Sequence, residues 1–162
     1  MIFTLLLSLI ISLTYLCYTV WVSKGIPVSI SDSYYLLGKR GWLFQLVMAS
    51  VAFMLYPVWV SVCSEELAAL VFGACSSLLF VAVSPCFKLD LEGKVHYSFA
   101  LLCCCMAVVW QLCEGLCAIT LCCGIVGMTL VVKDKAKWCW WVECAVLSSV
   151  YLSLFRLLSV NN

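Results

Sequence analysis

Six long apolar runs, separated by five short polar gaps, form the pattern of this chain. An α-helix needs about 20 predominantly apolar residues to cross the ~30 Å hydrocarbon core of a bilayer. The pattern therefore predicts an all-α protein, a polytopic transmembrane bundle of six helices in one integral membrane domain, residues 1–162. The predicted spans are residues 2–22, 42–63, 67–85, 97–113, 116–132 and 138–158.

Two pairs of runs are separated by very short gaps, and length decides that each pair is two helices. Residues 97–132 would form a single helix ~54 Å long, far longer than the bilayer core. The chain is predicted to fold back at Glu114-Gly115, and residues 42–85 are predicted to turn at Ser64-Glu65-Glu66. The runs are too long and too continuous for strands of a membrane barrel.

The charged residues of the gaps alternate in sign. Loops 23–41, 86–96 and 133–137 hold eight of the nine Lys and Arg residues, whereas the other two gaps hold Glu65, Glu66 and Glu114. Cytoplasmic loops of membrane proteins collect Lys and Arg. These three loops are therefore predicted to be cytoplasmic, with both termini outside, in the inner membrane if the protein is bacterial. The eight residues are Lys24, Lys39, Arg40, Lys88, Lys94, Lys133, Lys135 and Lys137.

The longest loop, residues 23–41, carries a polar stretch followed by an apolar one. Ser29 to Ser33 are mostly polar, and Leu36-Leu37 are apolar. This order predicts that the loop dips into the inner membrane interface. Aromatic side chains prefer the headgroup layer, and the predicted inner ends are rich in them: Trp42, Tyr97, Trp138, Trp140 and Trp141.

Composition supports a membrane location and limits the partners. The chain is 66% hydrophobic and 10% charged, against about 25% charged residues in a soluble domain. Membrane lipids are the expected contacts, together with other membrane proteins. Small residues such as Ala145, Ser149 and Ser153 are expected to provide a close-packing face within the bundle itself. The net charge of +1 argues against nucleic acid as a partner, because such binding needs a concentrated basic face.

Thirteen cysteines raise the question of metal or redox chemistry. No C-x-x-C spacing occurs, and most of the thiols lie in mid-span, where cysteine packs as a small apolar residue. Cys63, Cys113 and Cys117 lie near the predicted outer face, where an oxidising compartment would allow a disulfide among them. A single histidine argues against a catalytic zinc site, and no cofactor or metal is expected.

Four ionisable residues are the candidates for function. Glu143 and Arg156 lie within a predicted span, where charged groups are costly and mark functional sites. His96 ends the third loop, which also contains Asp90. We expect Glu143 to face the bundle interior, paired with His96 or a neighbouring Lys. Arg156 is expected to snorkel to the outer surface.

Two local features carry a resemblance to known proteins. Residues 93–100, with the sequence GKVHYSFA, open the fourth span, and Trp138 with Glu143 opens the sixth. In these features and in its six-span outline the chain resembles uncharacterised six-helix bacterial membrane proteins and, distantly, the damage-regulated autophagy modulator-like membrane proteins. The resemblance implies a multi-pass membrane protein, and no catalytic residue carries over from it.

Several functions remain open at this point. The favoured interpretation is a non-enzymatic protein that acts by binding, scaffolding or modulation within the membrane. The alternative is a small proton-coupled carrier that uses Glu143 and His96. A lipid-modifying enzyme is disfavoured by the missing metal ligands, and a holin-like pore needs fewer spans. Carriers place polar groups near the membrane midplane, whereas the polar groups here lie near the ends.

Overall fold

A computed structural model describes residues 1–160 as seven α-helices joined by short turns, with no strand among them. Asn161 and Asn162, the end of the predicted domain and of the predicted outer C-terminus, lie outside the described residues. The all-α prediction is confirmed. The helices are α1 (Ile2–Ser23), α2 (Ser33–Leu36), α3 (Trp42–Val60), α4 (Ala68–Val83), α5 (Asp90–Cys113), α6 (Cys117–Lys133) and α7 (Trp138–Val160).

Five of these helices are long and apolar enough to cross a membrane: α1, α3, α4, α5 and α7. For α3, α4 and α7 the counted length includes the short helical turn that precedes the helix. The other long helix, α6, has 17 residues and falls below that length. It nevertheless connects the same two ends of the bundle as its neighbours, because it begins after the turn at Glu114 and ends just before α7.

Five helices, α1, α3, α4, α5 and α7, form a closed ring. Along the ring, α1 packs on α3, α3 on α4, α4 on α5, α5 on α7, and α7 returns to α1. The remaining long helix, α6, lies outside this ring and packs mainly against α7. The largest apolar core, which includes Leu5, Val71, Trp110 and Leu154, occupies the inside of the ring.

Large apolar side chains face outward on the helices, and α1 turns polar side chains inward. On α1 the buried positions are mostly polar, namely Ser8, Ser12, Tyr15 and Thr19. Large apolar side chains face out, among them Phe3, which is 75% exposed, and Leu101, which is 67% exposed. A water-soluble protein does not leave so much apolar surface uncovered, and the pattern is the one a lipid environment favours.

The two ends of the bundle differ in charge. The basic end comprises residues 24–41, 84–89 and 134–137, and the acidic end comprises residues 61–67 and 114–116. Contacts across each end tie its segments together. At the basic end Lys88 lies 3.8 Å from Asp32, and at the acidic end Glu114 accepts a hydrogen bond from the backbone N–H of Ser64 at 2.8 Å.

One helix begins earlier than the predicted span that it contains. The fourth span was predicted to begin at Tyr97, but α5 begins at Asp90. Asp90 and Glu92 lie in the first turn, where acidic side chains stabilise the positive end of the helix dipole. Gly93 permits the preceding loop to cross this turn, since a Cβ there would lie 2.5 Å from the carbonyl oxygen of Phe87.

Candidate functional site

The loop between α1 and α3, residues 24–41, folds back into the basic end of the helix ring. Lys24 takes a left-handed conformation, with φ of 53°, and ends α1. Pro27 follows three residues later and cannot continue a helix. The loop then turns inward, so that Ile30, Ser31 and Ser33 are buried. The loop therefore reaches between the helices, and its expected dip into the inner membrane interface stays a prediction.

Glu143 holds the inward part of this loop. Its Oε2 atom accepts a hydrogen bond from the backbone N–H of Ile30 at 2.6 Å. One turn earlier on α7, the backbone N–H of Trp140 donates to the carbonyl of Val28 at 3.0 Å. Glu143 thus faces the interior, as its cost in lipid predicts. Its partners are the Ile30 backbone and the thiol of Cys139, whereas the sequence interpretation expected His96 or a lysine.

His96 holds the next residue of the same loop. It lies about two turns inside α5 and is 2% exposed, so it is not the loop-ending residue that the sequence suggested. Its Nδ1 lies 2.9 Å from the carbonyl of Ser84, and its Nε2 lies 2.9 Å from the Ser31 hydroxyl. A carbonyl only accepts. In the neutral ring Nδ1 therefore carries the proton, and Nε2 accepts from Ser31.

Glu143 and His96 thus bind adjacent loop residues, Ile30 and Ser31, and do not bind each other. Tyr15 of α1 adds a third attachment, because its hydroxyl lies 2.5 Å from the hydroxyl of Ser33. Three ring helices therefore hold three nearby residues of one short loop, Ile30, Ser31 and Ser33. Each attachment uses a polar group that would otherwise be unsatisfied in an apolar surrounding.

The outer side of the loop is covered by the segment before α5. Lys88 lies 3.8 Å from Asp32 and 4.1 Å above the ring centre of Tyr35. Its backbone N–H donates to the Tyr35 hydroxyl at 3.0 Å, and Phe87 packs edge-on against the same ring. The loop is consequently held from both sides, by buried hydrogen bonds within and by aromatic and charged contacts outside.

An apolar cavity of about 140 Å³ lies inside the ring, directly beneath the loop. All five ring helices contribute to its wall, and Ile30 and Ser31 of the loop line it at the basic end. Glu143 is the single charged side chain on the wall. The remaining lining residues are largely apolar and include Phe44, Leu55, Trp59, Ala107 and Val150.

A second polar cluster joins the helices towards the acidic end. The amide of Gln111 on α5 donates to the hydroxyl of Ser149 at 3.1 Å and to that of Ser153 at 3.3 Å. Its carbonyl accepts from Thr120 of α6 at 2.9 Å. Gln111 therefore forms hydrogen bonds to two other helices. This cluster connects α5, α6 and α7 and does not reach the cavity.

The other predicted site residues lie apart from this centre. Asp90 is exposed at the start of α5, and Arg156 is exposed near the acidic end. The carboxylate of Glu114, at the same end of the bundle as Arg156, accepts hydrogen bonds from Ser64. Asp90 and Arg156 therefore take no part in the arrangement around Glu143.

The outer disulfide that the sequence suggests for an oxidising compartment stays a prediction. Cys63, Cys113 and Cys117 all carry free thiols. Burial raises the pKa of the Cys63 thiol, and the nearby carboxylate of Glu114 raises it further. A thiol that keeps its proton is a poor nucleophile for disulfide exchange. Among residues 1–160 no three His, Cys, Asp or Glu side chains come together as metal ligands would.

Sequence reasoning missed the polar residues of α1. Ser8 and Ser12 lie close to the hydroxyl of Tyr151 on α7, at 2.7 and 3.0 Å, and Tyr15 holds the loop. These residues and Thr19 recur at i, i+4, i+7 and i+11, which places them on one face of a helix. Polar groups repeated with helical spacing in an otherwise apolar run indicate the face that packs inward.

Comparisons with protein-family models, with curated proteins and with solved structures found no match for this chain. The resemblance to the damage-regulated autophagy modulator-like proteins therefore stays a prediction.

Proposed function

We propose that this chain is an integral membrane protein with six spans that acts by non-covalent binding within the membrane and not by chemistry. The observation that carries the proposal is how Glu143 and His96 are used. Both side chains bind the loop of residues 24–41, through Ile30 and Ser31. Residues that the sequence offered as reactive groups therefore serve to close one end of a bundle.

The sixth span in this proposal is α6. Its 17 residues rise about 25 Å at 1.5 Å per residue, slightly less than a typical hydrocarbon core. Short spans are accommodated by local thinning of the bilayer at modest cost. Because Gly127 packs closely on Ala145, α6 accompanies α7 across the same layer. The basic end is cytoplasmic in this arrangement, and both termini are outside.

Lipids are the proposed immediate partners of the outer surface. Exposed apolar side chains cover α6 on its outward face, including Leu121, Ile125 and Val132. Other membrane proteins are further partners of the same surface. Helices associate in lipid through close packing, without a hydrophobic driving force.

A small proton-coupled carrier is the second candidate, and one observation favours it. Glu143 lies on the wall of the central cavity, and carboxyl groups inside membrane proteins take part in proton relays. In such a carrier, release of Ile30 from Glu143 would open the cavity towards the basic end.

Two measurements test the proposal. Reporter fusions after Lys39, Glu66, Lys94 and Lys135 should place only the Glu66 fusion outside, and a Glu66 reporter inside the cell would overturn the orientation. Purified protein in liposomes with an internal pH dye should move no protons. Proton flux that Glu143→Gln abolishes, and that the exposed-end variant Glu66→Gln retains, would replace the proposal with the carrier.

A further inference from the structure

The cavity inside the helix ring has the size and chemistry of a small-molecule site. Its volume of about 140 Å³ is close to that of an engineered apolar protein cavity of ~150 Å³, which stays dry and binds benzene. We propose that this cavity binds one small neutral apolar molecule of about the size of benzene or toluene. The inference rests on the proposed function, because it names the ligand of a non-enzymatic binding protein.

The wall of the cavity supports an apolar ligand. Phe44, Leu55, Ala107 and Val150 are each at most 5% exposed, and they approach from α3, α5 and α7. Trp59 adds an aromatic surface that is fixed by edge-on packing against Trp110, with ring centres 4.9 Å apart. Interiors close-pack where side chains allow it, so an apolar molecule that fills this space restores contacts that the wall lacks.

Most polar groups of the wall already have partners, which argues against a polar ligand; among the described lining residues the buried indole N–H of Trp59 is without one. The Ser12 hydroxyl donates to the Ser8 carbonyl at 2.9 Å, and the Tyr15 hydroxyl meets Ser33. The Ser31 hydroxyl is bonded to His96, and Oε2 of Glu143 accepts from Ile30. A ligand with donors or acceptors would have to break these bonds or remain unsatisfied itself, and either is costly.

The same accounting disfavours water as the occupant. A buried water needs two to four polar partners, and the hydroxyls around the cavity are committed elsewhere. The position of the cavity favours a separate molecule over the end of a lipid chain. Its wall is built from all five ring helices, and Ile30 and Ser31 line it at the basic end, so the site faces the centre of the bundle.

Binding is tested on detergent-purified protein with toluene and fluorobenzene as probes. A ligand that binds only the folded protein raises its unfolding temperature in a saturable manner. We expect such a rise for the unaltered protein, together with a bound fluorobenzene resonance in ¹⁹F NMR that empty micelles lack. Ala107→Leu, which fills the cavity, should weaken toluene binding at least tenfold. Ala118→Leu, the same change at an exposed position of α6, should leave it unchanged.

If Ala107→Leu does not fold, a second cavity-filling variant, Ala100→Leu, tests whether toluene binds in the cavity, since Ala100 also lines it. Equal responses in all variants, or no bound resonance, would overturn the proposal. So would benzylammonium binding more tightly than toluene in a manner lost in Glu143→Gln, or a co-purified lipid that excludes toluene. If toluene and fluorobenzene do not bind, the proposed ligand is rejected. The proposed function still stands in that case, provided that the reporters show the expected orientation and the liposomes show no proton flux.

Discussion

The hydrogen bond from the Ile30 backbone to Glu143 joins residues that are 113 positions apart. A hydrogen bond to a charged group contributes about 1.5–3 kcal/mol, and an unsatisfied buried donor costs about 1–3 kcal/mol. The single contact is therefore large enough to decide whether the loop stays in the ring or leaves it.

Replacement of Glu143 by two different side chains separates the bond from the charge. Gln retains an acceptor for the Ile30 N–H, whereas Leu fills the space without one. We expect Glu143→Leu to speed amide exchange of residues 26–33 by about tenfold to a hundredfold, from the loss of ~1–3 kcal/mol. Glu143→Gln should change exchange far less, and Glu66→Leu at the acidic end should not change it. Equal exchange in all three variants, measured by hydrogen–deuterium exchange mass spectrometry, would contradict this account.

The contact between His96 and Ser31 makes a separate prediction. His96→Ala and Ser31→Ala should each lower the unfolding temperature, and the double variant should lower it by less than their sum. We expect a coupling energy of about 0.5–1.5 kcal/mol, the usual contribution of one hydrogen bond. Ser29→Ala is the control at a neighbouring loop position. Strictly additive effects in this double-mutant cycle would show that the two side chains do not interact.

At the residue scale, the sequence predicted the important side chains more successfully than it predicted their contact partners. Glu143 was expected inside the bundle because a carboxylate facing acyl chains is costly. Its partner could not be read from the chain, because every residue except proline carries the same backbone N–H. The buried face of α1 could have been predicted, since Ser8, Ser12 and Tyr15 recur with helical spacing.

At the scale of elements, two glycines of α6 provide a matched comparison. A Cβ at Gly127 would lie 2.7 Å from the Cβ of Ala145, whereas a Cβ at Gly124 would meet nothing within 4 Å. Gly127→Ala should therefore separate α6 from α7 and destabilise the fold by about 1–3 kcal/mol. Gly124→Ala should be neutral or stabilise by up to about 1 kcal/mol. Unfolding of both variants in mixed micelles measures the difference, and equal effects would exclude close packing at Gly127.

The Gln111 cluster makes the corresponding prediction for α5. Hydrogen bonds between membrane helices contribute about 0.6 kcal/mol on average, and Ser149 and Thr120 keep other acceptors in the Val146 and Leu116 carbonyls. Gln111→Leu should therefore cost only about 1–2 kcal/mol. Gln45→Leu, at a half-buried position of α3, is the control and should cost less. A loss above ~3 kcal/mol for Gln111→Leu would mean that the cluster does more than join helices.

Helix existence was predictable from the apolar runs, and one helix boundary was not predicted correctly. The start of α5 was placed at Tyr97 because residues 90–96 are too polar for a span. Asp90 and Glu92 nevertheless give the acidic first turn that is typical of a helix start. The helix simply extends beyond its apolar part, and this places His96 inside it. Hydropathy marks where a helix meets lipid, and helix capping marks where it begins.

At the scale of the whole molecule, the closed ring and its cavity were beyond prediction. Small residues such as Ala145 and Ser149 were recognised as a packing face, but they do not specify a partner. In the structure Ala145 meets α6, whereas Ser149 meets Gln111 on α5. Which helices become neighbours depends on shape complementarity over the full length of each helix, and no short stretch of sequence contains that information.

A shortened chain makes a prediction at this scale. A version that ends at Lys133 lacks α7, and with it Glu143 and the Trp140 backbone that hold the loop. We expect it to insert into membranes but to leave Ser29→Cys open to a membrane-impermeant thiol reagent from the basic side. The same cysteine in the full chain should react at least tenfold more slowly. Equal labelling rates would show that α7 does not hold the loop.

The attachment of an early loop to a late helix also sets an order for biogenesis. Chains are made from the N-terminus, and membrane helices insert before they associate. When the ribosome has completed α1 and α3, the acceptor for Ile30 still lies more than eighty residues ahead, since α3 ends at Val60 and Glu143 lies on α7. The loop therefore waits on the basic side until α7 has been made and has joined the ring. Burial of the loop then marks a chain with α7 in place, and an exposed loop marks a chain without it, which a membrane protease can reach.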